Sequence, residues 1–175
     1  MRPLTLVSAG RALAGITSIQ ALISRMEKTV KELLSCSMCT VYTHDRENQL
    51  LFTLDAAGRE LRIKISDQTV AGAVVLSARP QRIENVYENT RFKALAASNL
   101  PRRSSLSALK GTMIAAAMRC NMLCCPVMKG ATVLGVIQCI RDKDSEAGLF
   151  SLKEEEWLVD FTHQVAMQVN PQLLV

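Results

Sequence analysis

The apolar positions of the chain recur with two different periods, and the change from one to the other outlines helices and strands. Residues 18–34 place apolar side chains at steps of three and four, which predicts an amphipathic helix. The runs 39–42, 50–54 and 61–65 are short and apolar, and turn-forming sequences separate them. These three runs predict strands that form an antiparallel meander.

The middle of the chain is less regular. Small apolar residues at 69–76 predict a helix with Asp67 as its N-terminal cap. Residues 81–92 are predicted to be irregular. The stretch 98–118 contains proline, serines and adjacent arginines, and it predicts a basic loop insertion.

The last third returns to regular periods. Residues 121–127 and 133–140 predict a second, buried hairpin, and 151–169 predicts a closing amphipathic helix with Ser151 as its cap. The order of elements predicts an α+β fold with a central antiparallel sheet of about five or six strands. In this fold the N- and C-terminal helices pack on one face of the sheet, and the other face holds a ligand pocket.

Length and composition narrow the class of protein. The chain has 175 residues, 49% of them hydrophobic, which suits one folded domain and argues against disorder. It contains no apolar run of about 18 residues, so no membrane span is predicted. A formal charge of +5 with 4% aromatic residues does not favour a nucleic-acid binder. We expect a single cytoplasmic domain with an N-terminal extension over residues 1–17.

Six cysteines raise the question of metal or redox chemistry. Cys36 and Cys39 form a CxxC pair, but the two histidines, His44 and His163, do not supply a matching pair of zinc ligands. Most of the cysteines lie within apolar runs, where a free thiol packs as a small hydrophobic side chain. No metal site is therefore predicted, and this cysteine usage suits a reducing compartment.

Several segments, in this order, resemble the GAF domain family, and in particular the GAF domains of cyclic-nucleotide phosphodiesterases. The resemblance covers about residues 18–169. It is carried by residues 69–72, 77–80, 85–92, 123–127 and 133–138, and by Asp142-Lys143, Phe150 and Glu154-Glu155. In the phosphodiesterase domains the last group reads asparagine-lysine, phenylalanine, aspartate-glutamate. The resemblance implies that Lys143 pairs with Glu154 and pins the last strand to the last helix.

The resemblance also implies a regulatory module that binds a small molecule and has no catalytic activity of its own. Cyclic AMP or cyclic GMP is the implied ligand. Its phosphate would meet the free backbone N–H groups of Val70 and Ala71 at a helix N-terminus. Lys93, Arg119 and Gln138 are the other candidate ligand contacts.

Departures from the family pattern leave alternatives open. Lys93 begins a stretch of alanines and leucine where the family has polar ligand contacts. A degenerate pocket would leave a homodimerisation or interaction module, assembled through the helices at 18–34 and 151–169. A cysteine-dependent reductase of free methionine sulfoxide is the rival from a different class, with Cys120 beside Arg119 as its reactive thiol. Two arginines before Ser105 also suggest a phosphorylation site.

Overall fold

The computed structural model describes residues 18–54, 57–86, 89, 91–92, 120–142 and 144–168. In chain order the elements of this part are α1 (Ile19–Leu33), β1 (Met38–Asp45), β2 (Leu50–Leu54), β3 (Glu60–Lys64), α2 (Val70–Ser77), β4 (Gln81–Ile83), β5 (Cys120–Lys129), β6 (Thr132–Asp142) and α3 (Leu152–Gln168). The predicted extension over residues 1–17, the basic insertion over 98–118 and Ser105 lie outside the described residues.

The described strands form one six-stranded sheet in the order β3-β2-β1-β6-β5-β4, and all neighbouring strands are antiparallel. The meander β1–β3 and the hairpin β5–β6 meet in the middle of the sheet, where Val41 of β1 lies opposite Ile137 of β6. Gly135 allows this central pairing to be tight, because a Cβ atom there would lie 2.3 Å from the backbone oxygen of Tyr42. The predicted α+β architecture is confirmed.

One face of the sheet packs against α1 and α3, and we call it the helical face. Its side chains come from alternate positions of the central strands, as the two-residue period of a strand requires. They join the buried sides of both helices in one apolar cluster that includes Leu22, Met26, Val41, Leu123, Ile137, Cys139, Leu158 and Phe161. This cluster is the larger of the two cores.

The opposite face packs against α2, and we call it the α2 face. A second apolar cluster lies between this helix and the sheet, and it includes Tyr42, Leu51, Val70, Ala71, Val74, Ile83, Phe92, Met122, Cys124 and Val136. In α2, Val70 to Val74 are all buried, so this short helix packs with most of its circumference.

Two details differ from the sequence expectations. The cap of α2 is Thr69, whose Oγ1 accepts a hydrogen bond from Gly72 N at 2.9 Å, and Asp67 lies outside the cap position. Residues Gln81–Ile83 form the edge strand β4, although 81–92 was expected to be irregular. A three-residue strand is too short to show a periodic pattern, so pairing with β5 decides its conformation.

Candidate functional site

A row of polar side chains crosses the α2 face. Thr40 lies opposite Gln138, Gln138 lies opposite Cys124, and Cys124 lies opposite Gln81. The four residues share the strand positions that face α2, because they alternate with residues of the helical face. Gln138 is only 9% exposed, and its side-chain amide has no hydrogen-bonding partner among the described residues. We call this set the polar row.

Tyr42 lies next to the polar row on β1, two residues beyond Thr40. Its ring is buried in the cluster beneath α2. Burial, followed by the nearby Cys124 and Glu27, raises the pKa of Tyr42 to about 12. The phenol therefore stays neutral near pH 7 and can donate or accept a hydrogen bond.

The N-terminus of α2 lies on the same side of the sheet. Thr69 satisfies Gly72 N, and the backbone N–H groups of Val70 and Ala71 have no acceptor among the described residues. Arg91 lies close by, since its Nε donates to the Asp67 carbonyl at 3.1 Å. Free N–H groups at a helix start and a nearby guanidinium provide an electrostatic environment that suits an anion.

Close packing explains why position 72 is a glycine. A Cβ atom at this position would lie 2.1 Å from the Ser66 carbonyl oxygen and 2.5 Å from Thr69 Oγ1. The missing side chain therefore lets the preceding turn pack against the helix.

The described residues include three of the five ligand contacts that the sequence predicts. Val70 and Ala71 contribute to the cluster beneath α2, and Gln138 lies on the same face. Lys93 and Arg119 lie outside the described residues. Sequence reasoning missed Thr40 and Gln81, although each shares the strand alternation of a buried α2-face neighbour.

A second set of polar residues lies on the helical face around Arg141, which is only 1% exposed. Its guanidinium donates to Glu154 Oε1 at 2.6 Å, to the backbone oxygens of Ala147 and Leu149 at 3.3 and 3.2 Å, and to the Leu34 carbonyl. The Phe150 ring lies beneath it, with 4.1 Å from Cζ to the ring centroid. We call this set the Arg141 network.

The Arg141 network explains part of the motif found in the sequence. Glu154 joins β6 to α3 through Arg141, a buried residue that sequence reasoning did not single out, while Lys143 lies outside the described residues. Glu155 pairs with Arg82 of β4, Nε to Oε2 at 3.1 Å. The motif residues Phe150, Glu154 and Glu155 thus hold the sheet to α3 and lie away from the α2 face.

Glu154 also closes the start of α3. Its Oε2 accepts from Ser151 N at 2.7 Å, and Ser151 Oγ accepts from Glu154 N at 3.2 Å, which makes a reciprocal capping box. Burial raises the pKa of Glu154, but hydrogen bonds from Arg141 and Ser151 outweigh it and leave the pKa below its usual value. The predicted Ser151 cap is confirmed.

All six cysteines are buried and free. Burial raises the pKa of Cys120 to about 11, and it also raises the pKa values of Cys124 and Cys125. These environments disfavour the thiolate form that nucleophilic cysteine chemistry requires. Within the described residues, no group of three or more His, Cys, Asp or Glu side chains is placed to hold a metal ion.

Comparison with known proteins gives the family. The sequence profile of the GAF domain matches residues 18–169. No curated protein matches the sequence. None of the helices in the described part of the chain is both long and apolar enough to cross a membrane.

Solved structures share the fold at low sequence identity. The GAF domain of an Acinetobacter phosphoenolpyruvate-protein phosphotransferase superposes with a TM-score of 0.67 at 18% identity, over 93% of this chain and 88% of that one. Free methionine-R-sulfoxide reductase from Neisseria meningitidis gives 0.64 at 15% identity, over 93% and 84%. The A. aeolicus nlh2 GAF domain gives 0.61 at 16%, over 93% and 91%. With its sheet order, its two-faced packing and a family profile that spans most of its length, the chain belongs to the GAF domain family.

Proposed function

We propose that this chain is a regulatory GAF module that binds a small, partly polar molecule against the α2 face and has no catalytic activity of its own. One observation carries the proposal. The Gln138 amide lies on a nearly buried sheet face, without a hydrogen-bonding partner among the described residues. A side-chain amide that makes no hydrogen bond to another described residue is available to a ligand, which gains affinity and orientation from that contact.

The chemistry of the site suggests what the ligand carries. A side-chain amide offers both a donor and an acceptor, which matches the edge of a nucleobase or another amide-like group. The neutral Tyr42 phenol adds a second polar contact, and the surrounding apolar residues cover a flat or apolar body. The free N–H groups of Val70 and Ala71 suit an anionic group.

A cyclic nucleotide combines these three features. Residues 69–72, 85–92, Phe150 and Glu154 also resemble the GAF domains of cyclic-nucleotide phosphodiesterases. Cyclic AMP and cyclic GMP are therefore the first ligands to test.

The hypothesis that this chain reduces free methionine sulfoxide is supported by a similar fold and opposed by the burial of its cysteines. Free methionine-R-sulfoxide reductases superpose on this chain. Here Cys120 is buried, with its pKa raised to about 11, and Cys124 and Cys125 are buried as well. We expect the reduced protein to show no turnover of free methionine sulfoxide when its thiols are the electron source.

Isothermal titration calorimetry tests the binding proposal. Cyclic AMP and cyclic GMP are titrated into the wild type, Gln138→Leu and Gln164→Leu. Gln164 is a matched control, because it lies on α3 with a buried Oε1 that has no partner within the described residues. We expect the nucleotide that binds to lose about tenfold in affinity or more in Gln138→Leu, from one lost polar contact. Gln164→Leu should bind like the wild type.

Two results would contradict the proposal. Equal affinity of Gln138→Leu and wild type would show that the polar row does not contact the ligand. Absence of heat with both nucleotides and with a wider set of polar metabolites would show that the chain binds no ligand of this kind.

Exposed apolar side chains near the start and end of α3 favour a second function, homodimerisation through the terminal helices. Leu149 and Leu152 are 51% and 61% exposed, and Met167 is 79% exposed. Sedimentation over a concentration series tests this reading. A dimer that Met167→Glu dissociates, and that Leu61→Glu on β3 leaves intact, would support it, while a monomer at all concentrations would exclude it.

A further inference from the structure

Three cysteines meet on the helical face, at the place where α1 ends and the sheet begins. Cys36 lies in the connection between α1 and β1, Cys39 lies in β1 and Cys139 lies in β6. All three belong to the larger apolar cluster. We call this set the thiol cluster. It includes the CxxC pair, to which the proposed binding function gives no role.

Cys39 and Cys139 lie directly opposite each other in antiparallel strands. Two residues along β1, the Val41 N–H donates to Glu27 Oε1 at 3.0 Å and therefore points away from β6. Because backbone direction alternates along a strand, the N–H of Cys39 also points away from β6. The two cysteines thus form a non-hydrogen-bonded pair, in which the Cα atoms are about 4.5 Å apart. Disulfides span Cα separations of about 4.4–6.8 Å.

The three thiols lie in the same apolar cluster, and Cys139 lies directly opposite Cys39 in the ladder. The cysteines of β5 have different neighbours across the ladder, because Cys120 lies opposite Asp142 and Cys125 lies opposite Ile137. The geometry for a cross-strand disulfide therefore singles out one pair of β-strand cysteines.

We propose that Cys39 and Cys139 form a redox modification site, which a peroxide converts to a reversible cross-strand disulfide. In the first step the Cys39 sulfur, the more exposed of the pair, attacks the peroxide oxygen as a thiolate, the O–O bond breaks, and a sulfenic acid and water form. In the second step the opposing thiol attacks that sulfur, the S–S bond forms, and a second water leaves. Two thiols and one hydrogen peroxide thus give one disulfide and two waters, with sulfur oxidised and peroxide oxygen reduced.

Burial decides how fast the site reacts and how far the reaction goes. Cys39 is 8% exposed and Cys139 is fully buried, so the oxidant reaches the pair through local opening and reacts slowly. The opposing thiol lies directly across the ladder, so it captures the sulfenic acid before further oxidation. The bond closes a loop of roughly 100 residues, which raises the stability of the folded state.

Peptide mapping of the full chain tests the proposal without any variant. Trypsin places the thiol cluster on two peptides, residues 32–46 with Cys36 and Cys39 and residues 130–141 with Cys139, while 120–129 carries the other three cysteines. After treatment with hydrogen peroxide and blocking of free thiols, we expect 32–46 linked to 130–141. Dithiothreitol should separate them. Linkage of either peptide to 120–129 instead, or no linked peptide after complete thiol loss, would overturn the proposal.

Variants identify the partner of Cys139. The link should vanish in Cys39→Ala and persist in Cys36→Ala, and Cys125→Ala serves as the control for a buried cysteine outside the cluster. The oxidised wild type should melt several degrees above the reduced form, and Cys39→Ala should show no such difference. A link that persists in Cys39→Ala and is lost in Cys36→Ala would overturn the assignment to the cross-strand pair.

Discussion

Two buried polar residues of β6, one on each face of the sheet, differ in how many hydrogen bonds they make. On the helical face, Arg141 is almost completely buried, yet its guanidinium contacts a carboxylate, four backbone oxygens and an aromatic ring. On the α2 face, Gln138 is nearly as buried, and its amide has no partner among the described residues. The two residues lie three positions apart on the same strand.

This difference separates polar residues of the framework from candidate binding residues. A buried charge is costly unless hydrogen bonds and an opposite charge compensate it, so the partners of the two terminal guanidinium nitrogens mark Arg141 as part of the framework. The Gln138 amide makes no such bond within the described part of the chain, so it is available to a bound molecule. The contrast therefore predicts that substitutions on the two faces change different quantities.

The largest effect is expected at the Arg141 network. Arg141→Met keeps much of the side-chain volume but leaves the carbonyls of Leu34, Ala147 and Leu149 without this donor and leaves Glu154 without its cation. We expect a loss of about 3 kcal/mol in the free energy of unfolding, as for other broken buried pairs. Urea unfolding measures it.

Arg82→Met is the matched control for this prediction. Arg82 pairs with Glu155 and donates to the Phe150 carbonyl, but its side chain is 39% exposed. A loss of about 0.5–1 kcal/mol is expected for such a pair. Equal losses in the two arginine variants would show that burial does not distinguish the two arginines.

A smaller effect on the free energy of unfolding is expected at the N-terminal cap of α2. Thr69→Ala removes the oxygen that accepts from Gly72 N, and it should cost about 1 kcal/mol in the free energy of unfolding. Asp67→Ala is the control, because its carboxylate does not cap α2, and it should cost much less. If the aspartate variant loses more stability than the threonine variant, the assignment of the cap is wrong.

Two carboxylates whose pKa values move in opposite directions give effects that depend on pH. Burial raises the pKa of Glu27, although the hydrogen bond from Val41 N–H partly offsets it. Its contribution to stability is complete below the unfolded pKa of 4.5 and is lost as pH rises through the raised folded pKa. Glu27→Gln should therefore gain about 0.5 kcal/mol relative to the wild type between pH 4 and pH 7.

Glu154→Gln should show the opposite trend. The folded pKa of Glu154 is lowered, so its contribution is present above 4.5 and is lost as pH falls through the folded pKa. The variant should be less stable than the wild type at pH 7 and should approach it near pH 3. Denaturant unfolding at several pH values measures both variants, and parallel pH profiles would contradict the assignment.

Most of the fold followed from the sequence because strong periods leave few alternatives. The three-and-four spacing of residues 18–34 and the alternation over 61–65 predicted α1 and β3 to within one or two residues. The sequence pattern did not predict the edge strand β4, because three residues are too few to show a periodic pattern. The strand is recognised from its pairing with β5, in which Ile83 lies opposite Met122. Local pattern thus predicts long elements, and tertiary pairing determines the short ones.

The candidate site was only partly predictable. Gln138 was expected as a ligand contact, but Thr40 and Gln81 join it only through the register of neighbouring strands. Arg141 was missed because arginine in a strand normally lies in water, and its burial depends on partners from α1, the loop before α3 and α3 itself. Sequence patterns do not show such partners.

Methyl NMR during a ligand titration tests the central claim most directly, because both cores contain methyl-bearing side chains. Met122, Leu51 and Val136 report on the α2 face, and Leu22, Leu158 and Val165 report on the helical face. With cyclic AMP, cyclic GMP and other polar metabolites, we expect saturable shifts concentrated in the first group. Shifts concentrated in the second group, or no saturable shift with any of these molecules, would contradict the account.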